Sequence, residues 1–171
     1  MNENPLQDVE CQPEPARATD FVAVDDAGAF SHHCSRAELI SSFEYPDEVI
    51  CILDRQGRCR RLLLDSSRTL VLSRIHGAAE FSWLQQNWTK SQQLFPRQHR
   101  IRRFHALTLE CLVADIFETL SLGQHTAELG GSAGELVHDR YGHTYRVVSH
   151  PGSGFHSGRN VGLWYVEVKV P

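Results

Sequence analysis

Apolar and polar positions along this chain fall into two periods, and each predicts a different kind of element. Leu109, Leu112, Val113, Ile116, Phe117 and Leu120 recur at the spacing that lines one side of a 3.6-residue helix, while Glu110, Asp115, Glu118 and Thr119 take the other side. The stretch His105 to Gly123 is therefore expected to hold a helix over about 106–122. Thr108 suits the N-cap, Glu110 suits the positive end of the helix dipole, and Gly123 can close the helix in the left-handed conformation. Phe81, Leu84, Trp88 and Phe95 form a narrower stripe that predicts a second helix over about 79–95, stopped by Pro96, with Trp83 and Leu94 lying off the stripe. Ser35-Arg-Ala-Glu38 has the spacing of a capping box and opens a short helix over about 36–43, ahead of Pro46.

The remaining apolar runs read as strands. Residues 20–25 form a short strand ended by the Asp26-Ala27-Gly28 turn signal, and the Ser-His-His-Cys that follows at 31–34 reads as a solvated loop. Glu48 to Ile75 reads as a three-stranded meander, with Asp54-Arg-Gln-Gly57 turning its first hairpin. Pairing Asp54 with Arg58 puts Cys51, Leu53, Cys59, Arg61 and Leu63 on one face and Ile50, Ile52, Arg60, Leu62 and Leu64 on the other. Arginines gather at the turn, so the hairpin tip is expected to project beyond the core. Asp139-Arg-Tyr-Gly142 repeats the turn chemistry of residue 54 between two further strands. In the final strand Trp164, Val166, Val168 and Val170 alternate with Tyr165, Glu167 and Lys169, which assigns the first set to the buried face. This order predicts an α+β fold: an antiparallel sheet of about six or seven strands packed against two main helices and one short one.

Composition narrows the picture. With 171 residues, 41% hydrophobic and 22% charged, the chain suits one domain able to bury a core without disulfides or metal. That domain is expected over residues 20–171. Residues 1–19, with three prolines, several acids and few large apolar groups, are expected to be a disordered acidic tail. No apolar run is long enough to span a membrane and no basic-then-apolar leader is seen, which points to a cytoplasmic protein. The five cysteines (11, 34, 51, 59 and 111) are scattered and lack CxxC spacing, so reduced thiols are expected, with Cys51 and Cys59 approaching one another on the first hairpin as small packing residues.

Charge is distributed unevenly, and this carries the functional expectation. Residues 1–54 hold twelve acids against two arginines (−10), residues 55–103 ten arginines and one lysine against two acids (+9), and residues 104–171 come to −3. Two patches concentrate the positive charge: Arg55, Arg58, Arg60 and Arg61 at the hairpin tip, and Arg97, Arg100, Arg102 and Arg103 with His99 ahead of the 106–122 helix. Cations at a helix N-terminus oppose the dipole, and the planar guanidinium suits phosphate and carboxylate, so these eight arginines are candidate anion- or partner-binding residues. An alternative site is the Gly-rich loop 150–160, where His150, Ser153, His156 and Arg159 could supply proton transfer, a nucleophile and charge stabilisation.

No recognised metal-ligand spacing, P-loop ending or nucleic-acid-binding motif is present, so neither a cofactor nor a metal is expected. The reading is a non-enzymatic binding or regulatory protein whose arginine-rich middle engages an acidic partner: a protein or its own N-terminal tail, with nucleic acid behind them. The alternative is a small enzyme acting on a phosphorylated or otherwise anionic substrate with the 150–160 loop.

Overall fold

In the computed structural model the expected long helix forms over Leu109–Gly123 (α3), and two sheets close on opposite sides of it. The structure describes residues 20–123, 128–149 and 162–169. The stretch 1–19 expected to be a disordered tail, and the loop carrying His150, Ser153, His156 and Arg159, lie outside the described residues. Thr108 caps α3 as expected, its hydroxyl accepting from the Cys111 N–H at 3.2 Å. Gly123 is the last helical residue and does not take the left-handed conformation.

A second helix, α2, runs over Phe81–Leu94, and Glu80 caps it by accepting from the Ser82 and Trp83 N–H groups. Leu84 and Trp88 are buried on its stripe, Trp83 packs at the edge of the same core, and Leu94 is exposed. The short helix α1 (Arg36–Ser41) starts at Ser35, whose hydroxyl accepts from Glu38 N–H; the Glu38 carboxylate reaches back one residue further than a capping box requires, to Cys34 N–H.

The fold is α+β, but the strands divide among three sheets instead of filling one. The first sheet contains β1 (Phe21–Asp25), β2 (Phe30–His33), β3 (Val49–Leu53), β4 (Arg58–Arg60) and β7 (Gly77–Ala78), in the order β2-β1-β3-β4-β7. A separate hairpin pairs β5 (Leu62–Leu64) with β6 (Leu70–Leu72). The other large sheet contains β8 (Ile101–Arg102), β9 (Leu136–His138), β10 (Thr144–Ser149) and β11 (Leu163–Glu167), in the order β8-β11-β10-β9. Its β8–β11 pair is parallel and the rest are antiparallel.

The meander breaks at Arg61. There the backbone leaves the first sheet, exchanging bonds with Ser73 (Ser73 N to Arg61 O, 2.8 Å; Arg61 N to Ser73 Oγ, 2.9 Å) so that a new ladder starts at Leu62. One face of the first sheet packs Val22, Val24, Cys51 and Leu53 against α2 and α3; the other packs Ala23, Val49 and Ile52 against Leu39 of α1 and Leu62.

Three local expectations are corrected. Residues 31–33 are strand, not solvated loop: β2 pairs with β1 from Phe21↔His33 to Val24↔Phe30, and His33 is buried. The first hairpin's tip does not project, because Gly57 is buried against α3; a Cβ there would sit 3.0 Å from Val113 Cγ2, and its φ of +74° is one that glycine tolerates. The polar side of α3 is enclosed as well, with Asp115 and Thr119 buried and Glu118 partly so. Finally, β11 faces the opposite way: Tyr165 is buried, with its hydroxyl donating to Gly130 O at 2.9 Å, while Trp164 and Val166 look outward. A tyrosine ring with a partner for its hydroxyl fills the interior as well as tryptophan does, so alternation alone could not choose between the two faces.

One turn device recurs. At Asp54 and Asp139 the carboxylate Oδ1 accepts from the N–H groups two and four residues on, and a glycine at positive φ follows three residues after the aspartate. Asp65 does the same for Ser67 and Thr69 with Arg68 at φ +60°, and Asp25 Oδ1 accepts from Ala29 N–H ahead of β2.

Candidate functional site

The fold separates the eight candidate arginines and gives most of them partners within the chain. At the first hairpin, Arg55 forks onto Asp20 (Nε to Oδ1 2.7 Å, Nη2 to Oδ2 2.5 Å) and lies 4.9 Å from the centre of the Phe117 ring. Arg58 pairs with Asp54 at 2.7 Å and Arg60 donates to Ser73 O at 3.0 Å, while Arg61 is exposed. Arg97 lies apart, at an open depression of about 430 Å³ lined also by Ser31, His32 and Gln98.

Arg103 differs from all of these: its side chain is fully buried at the centre of an ionic cluster. Nε donates to the Tyr145 hydroxyl at 2.7 Å, Nη1 to Asp115 at 2.9 Å and to Glu118, and Nη2 to Asp139 at 2.6 Å. Its backbone is clamped by the Gln92 amide, which accepts from Arg103 N–H at 2.9 Å and donates to Arg103 O at 3.0 Å. Burial alone would lower the Arg103 pKa, yet Tyr145 and the carboxylates outweigh it and raise it above the ordinary arginine value. Burial likewise pushes Asp115 up against the pull of Arg103. For Asp139 the balance goes the other way: burial is overcome by bonds from Tyr145, the His143 N–H and Arg103, and its carboxyl is held below the usual range. Arg103 therefore joins α3 to the second sheet, and a residue so enclosed cannot present its charge to a solution anion.

The same cluster holds the donors a metal would need. Asp115, Glu118 and His143 offer ligand atoms within 4.8 Å of one another. His143 Nδ1 is also 2.6 Å from Glu167. Between Asp115 and Glu118, however, the Arg103 guanidinium already supplies the positive charge, so a metal ion would have to displace it.

Apart from Arg61 and Arg97, the candidate arginines left to face a partner lie on the outer face of the second sheet. The register Tyr165↔Ile101 and Tyr145↔Glu167 places Ile101, Tyr145, Val147 and Tyr165 inward, in a core with Leu122 of α3. Alternation then turns Arg102, Trp164, Val166, Arg146, Val148 and Leu136 outward, with Arg100 continuing the row ahead of β8. The Arg102 guanidinium stacks 3.7 Å from the centre of the Trp164 ring and donates through Nε to His99 O at 3.1 Å. Arg100 reaches Leu163 O at 3.3 Å and Arg146 is exposed. Among the described residues of these four strands, no aspartate or glutamate shares that face.

Arg100 and Arg102 were anticipated here; Arg146 and Trp164 were not. The missed signal is the lone arginine between Tyr145 and Val147, which marks 146 and 148 as outward in β10 and, through the ladder, reverses β11. No family model, no curated protein and no solved structure matches the chain.

Proposed function

We propose that this protein is a binding module that engages an acidic protein segment through the outer face of the β8-β11-β10-β9 sheet. The observation that carries this reading is a sheet face with exposed Arg146 beside the Arg102–Trp164 stack and no carboxylate among its described residues. The exposed Arg146 guanidinium suits a carboxylate, and the Arg102–Trp164 stack with Val148, Val166 and Leu136 supplies positive charge and apolar area beside it. Arg55, Arg58 and Arg60 belong to the first hairpin and Arg103 to the buried ionic cluster, so none of them lies on this surface.

The test is titration of the full chain with a fluorescent glutamate-rich peptide and with duplex DNA at several salt concentrations. Peptide binding should weaken as salt rises, and Arg102→Gln with Arg146→Gln should lower the affinity about tenfold, taking up to about 1 kcal/mol for each exposed pair. Deleting residues 1–19 should raise the affinity, as expected for removal of an acidic stretch able to compete with the peptide. DNA binding stronger than peptide binding at every salt concentration would make the partner a nucleic acid and overturn the proposal. Undiminished peptide binding by the double variant would remove the sheet face from consideration.

A further inference from the structure

Cys51 and Cys59 stand on neighbouring strands with their sulfurs 3.1 Å apart, the Cys51 thiol donating to Cys59. The β3–β4 register pairs Leu53 with Cys59 and Ile52 with Arg60, so Cys51 and Cys59 are diagonal neighbours on the face that packs toward α3. Their surroundings differ. Cys51 is buried at 6% exposure, whereas Cys59 is only partly buried. Directly across from Cys59, β7 places Gly77, where even an added Cβ would meet nothing within 4 Å. Cys59 is therefore the more accessible of the pair.

We propose that Cys51 and Cys59 form a site of reversible oxidation, a dithiol that a low-molecular-weight disulfide converts to an intramolecular disulfide across β3 and β4. The Cys59 thiolate attacks one sulfur of glutathione disulfide, forming a mixed disulfide and releasing one glutathione thiolate. Cys51 then gives its proton to that thiolate and attacks the Cys59 sulfur, which forms the Cys51–Cys59 bond and releases the second glutathione. Two thiols are oxidised and one disulfide is reduced to two thiols, so atoms and electrons balance. The order of attack follows from access and proton affinity. The hydrogen bond from Cys51 holds the Cys59 thiol below its usual range, and that bond together with burial pushes Cys51 well above it. About 1 Å of closure separates this contact from a disulfide bond of roughly 2.05 Å. Cys34 and Cys111 are also free, but both are exposed and no neighbouring thiol is described for either.

The test incubates the full-length chain in glutathione buffers of graded oxidation, then alkylates and maps it by mass spectrometry. Arg55 and Arg58 lie between the two cysteines, so trypsin cuts the intervening chain and a Cys51–Cys59 disulfide joins two peptides that separate on reduction. The expected result is that linked pair, with loss of two hydrogens from the intact mass and full reversal by dithiothreitol. In Cys51→Ser, glutathione should remain trapped on Cys59; in Cys59→Ser, no glutathione should be found on Cys51. Should a variant fail to fold, the wild-type map still decides. Continued alkylation of Cys51 and Cys59 in the most oxidising buffer, or glutathione confined to Cys34 and Cys111, would overturn the proposal.

Discussion

Replacing Arg103 by methionine removes the one guanidinium that Asp115, Glu118, Asp139 and the Tyr145 hydroxyl share, while the new side chain fills much of the same space. Arg103 and Asp139 have side-chain exposures of 0%, and Asp115 of 8%, so the carboxylates left behind gain little from water. Removing one partner of such a buried group costs about 3–5 kcal/mol, and about 2–4 °C of melting temperature per kcal/mol in a chain of this size makes that a fall of roughly 6–20 °C. The cost should depend on pH with a definite sign. Asp139 has a folded pKa below its unfolded value, so its contribution is present above the unfolded value and lost as pH falls through the folded one. Asp115, whose folded pKa is raised, behaves in the opposite sense and loses its contribution as pH rises through the folded value. Without Arg103 each carboxylate takes up a proton more readily, and the gap between variant and wild type should narrow from about pH 7 toward about pH 4. Urea denaturation of both proteins across this range measures it. A loss below about 1 kcal/mol at neutral pH, or one that does not shrink on acidification, would refute the assignment of Arg103 as the charge that holds α3 to the second sheet.

Two further substitutions probe separate features. His99 is buried between Trp88 (ring centres 5.1 Å apart) and Ser91 (Oγ to Nε2, 3.0 Å), and burial together with Arg102 depresses its pKa from 6.5 to about 4. The unfolded chain then binds the proton first, so His99 contributes stability above pH 6.5 that is lost as pH falls toward 4; His99→Gln should flatten this part of the stability curve, and an unchanged slope would count against it. Gly57→Ala meets both a φ of +74° and Val113 at 3.0 Å, whereas Gly142→Ala meets a φ of +90° and open space. The first should cost about 1–3 kcal/mol and the second only the backbone strain of about 1 kcal/mol, so equal urea midpoints would mean the hairpin tip is not packed on α3.

Much of this architecture could be read from periodicity because the signals were local. The apolar stripe of α3, the cap at Thr108 and the Asp54 and Asp139 turns each depend on residues a few positions apart, and each appears where expected. The misreadings share a different cause. Whether Trp164 or Tyr165 faces inward and whether the Gly57 turn projects both depend on which distant element arrives at that surface. The charge count exposed a basic central third, but it could not distinguish arginines that the fold pairs internally from those it turns outward. Arg102 and Arg103 are adjacent in sequence, and a single step of strand alternation sends one to the outer face and the other into the ionic cluster. Arg146, the remaining member of the outer row, belongs to a stretch whose net charge is negative, so a regional count passes over it.

The parallel pairing of β8 with β11 also orders events in time. β11 lies between β8 and β10, so during synthesis β8 has no neighbour in its sheet until α3, β9 and β10 have all emerged and the last described strand follows them. The first sheet, the β5–β6 hairpin and the β9–β10 hairpin can each close over shorter lengths of chain. Joining Ile101 to Tyr165 closes a far longer loop, and it carries the entropic cost that makes non-local contacts slow. A nascent chain ending at Ser149 would thus lack Tyr165 from the core that Leu122 shares with Ile101, Tyr145 and Val147, and β8 and β10 would have no strand between them. Completion of the second sheet, and with it the outer row of arginines, is therefore expected to follow that of the first.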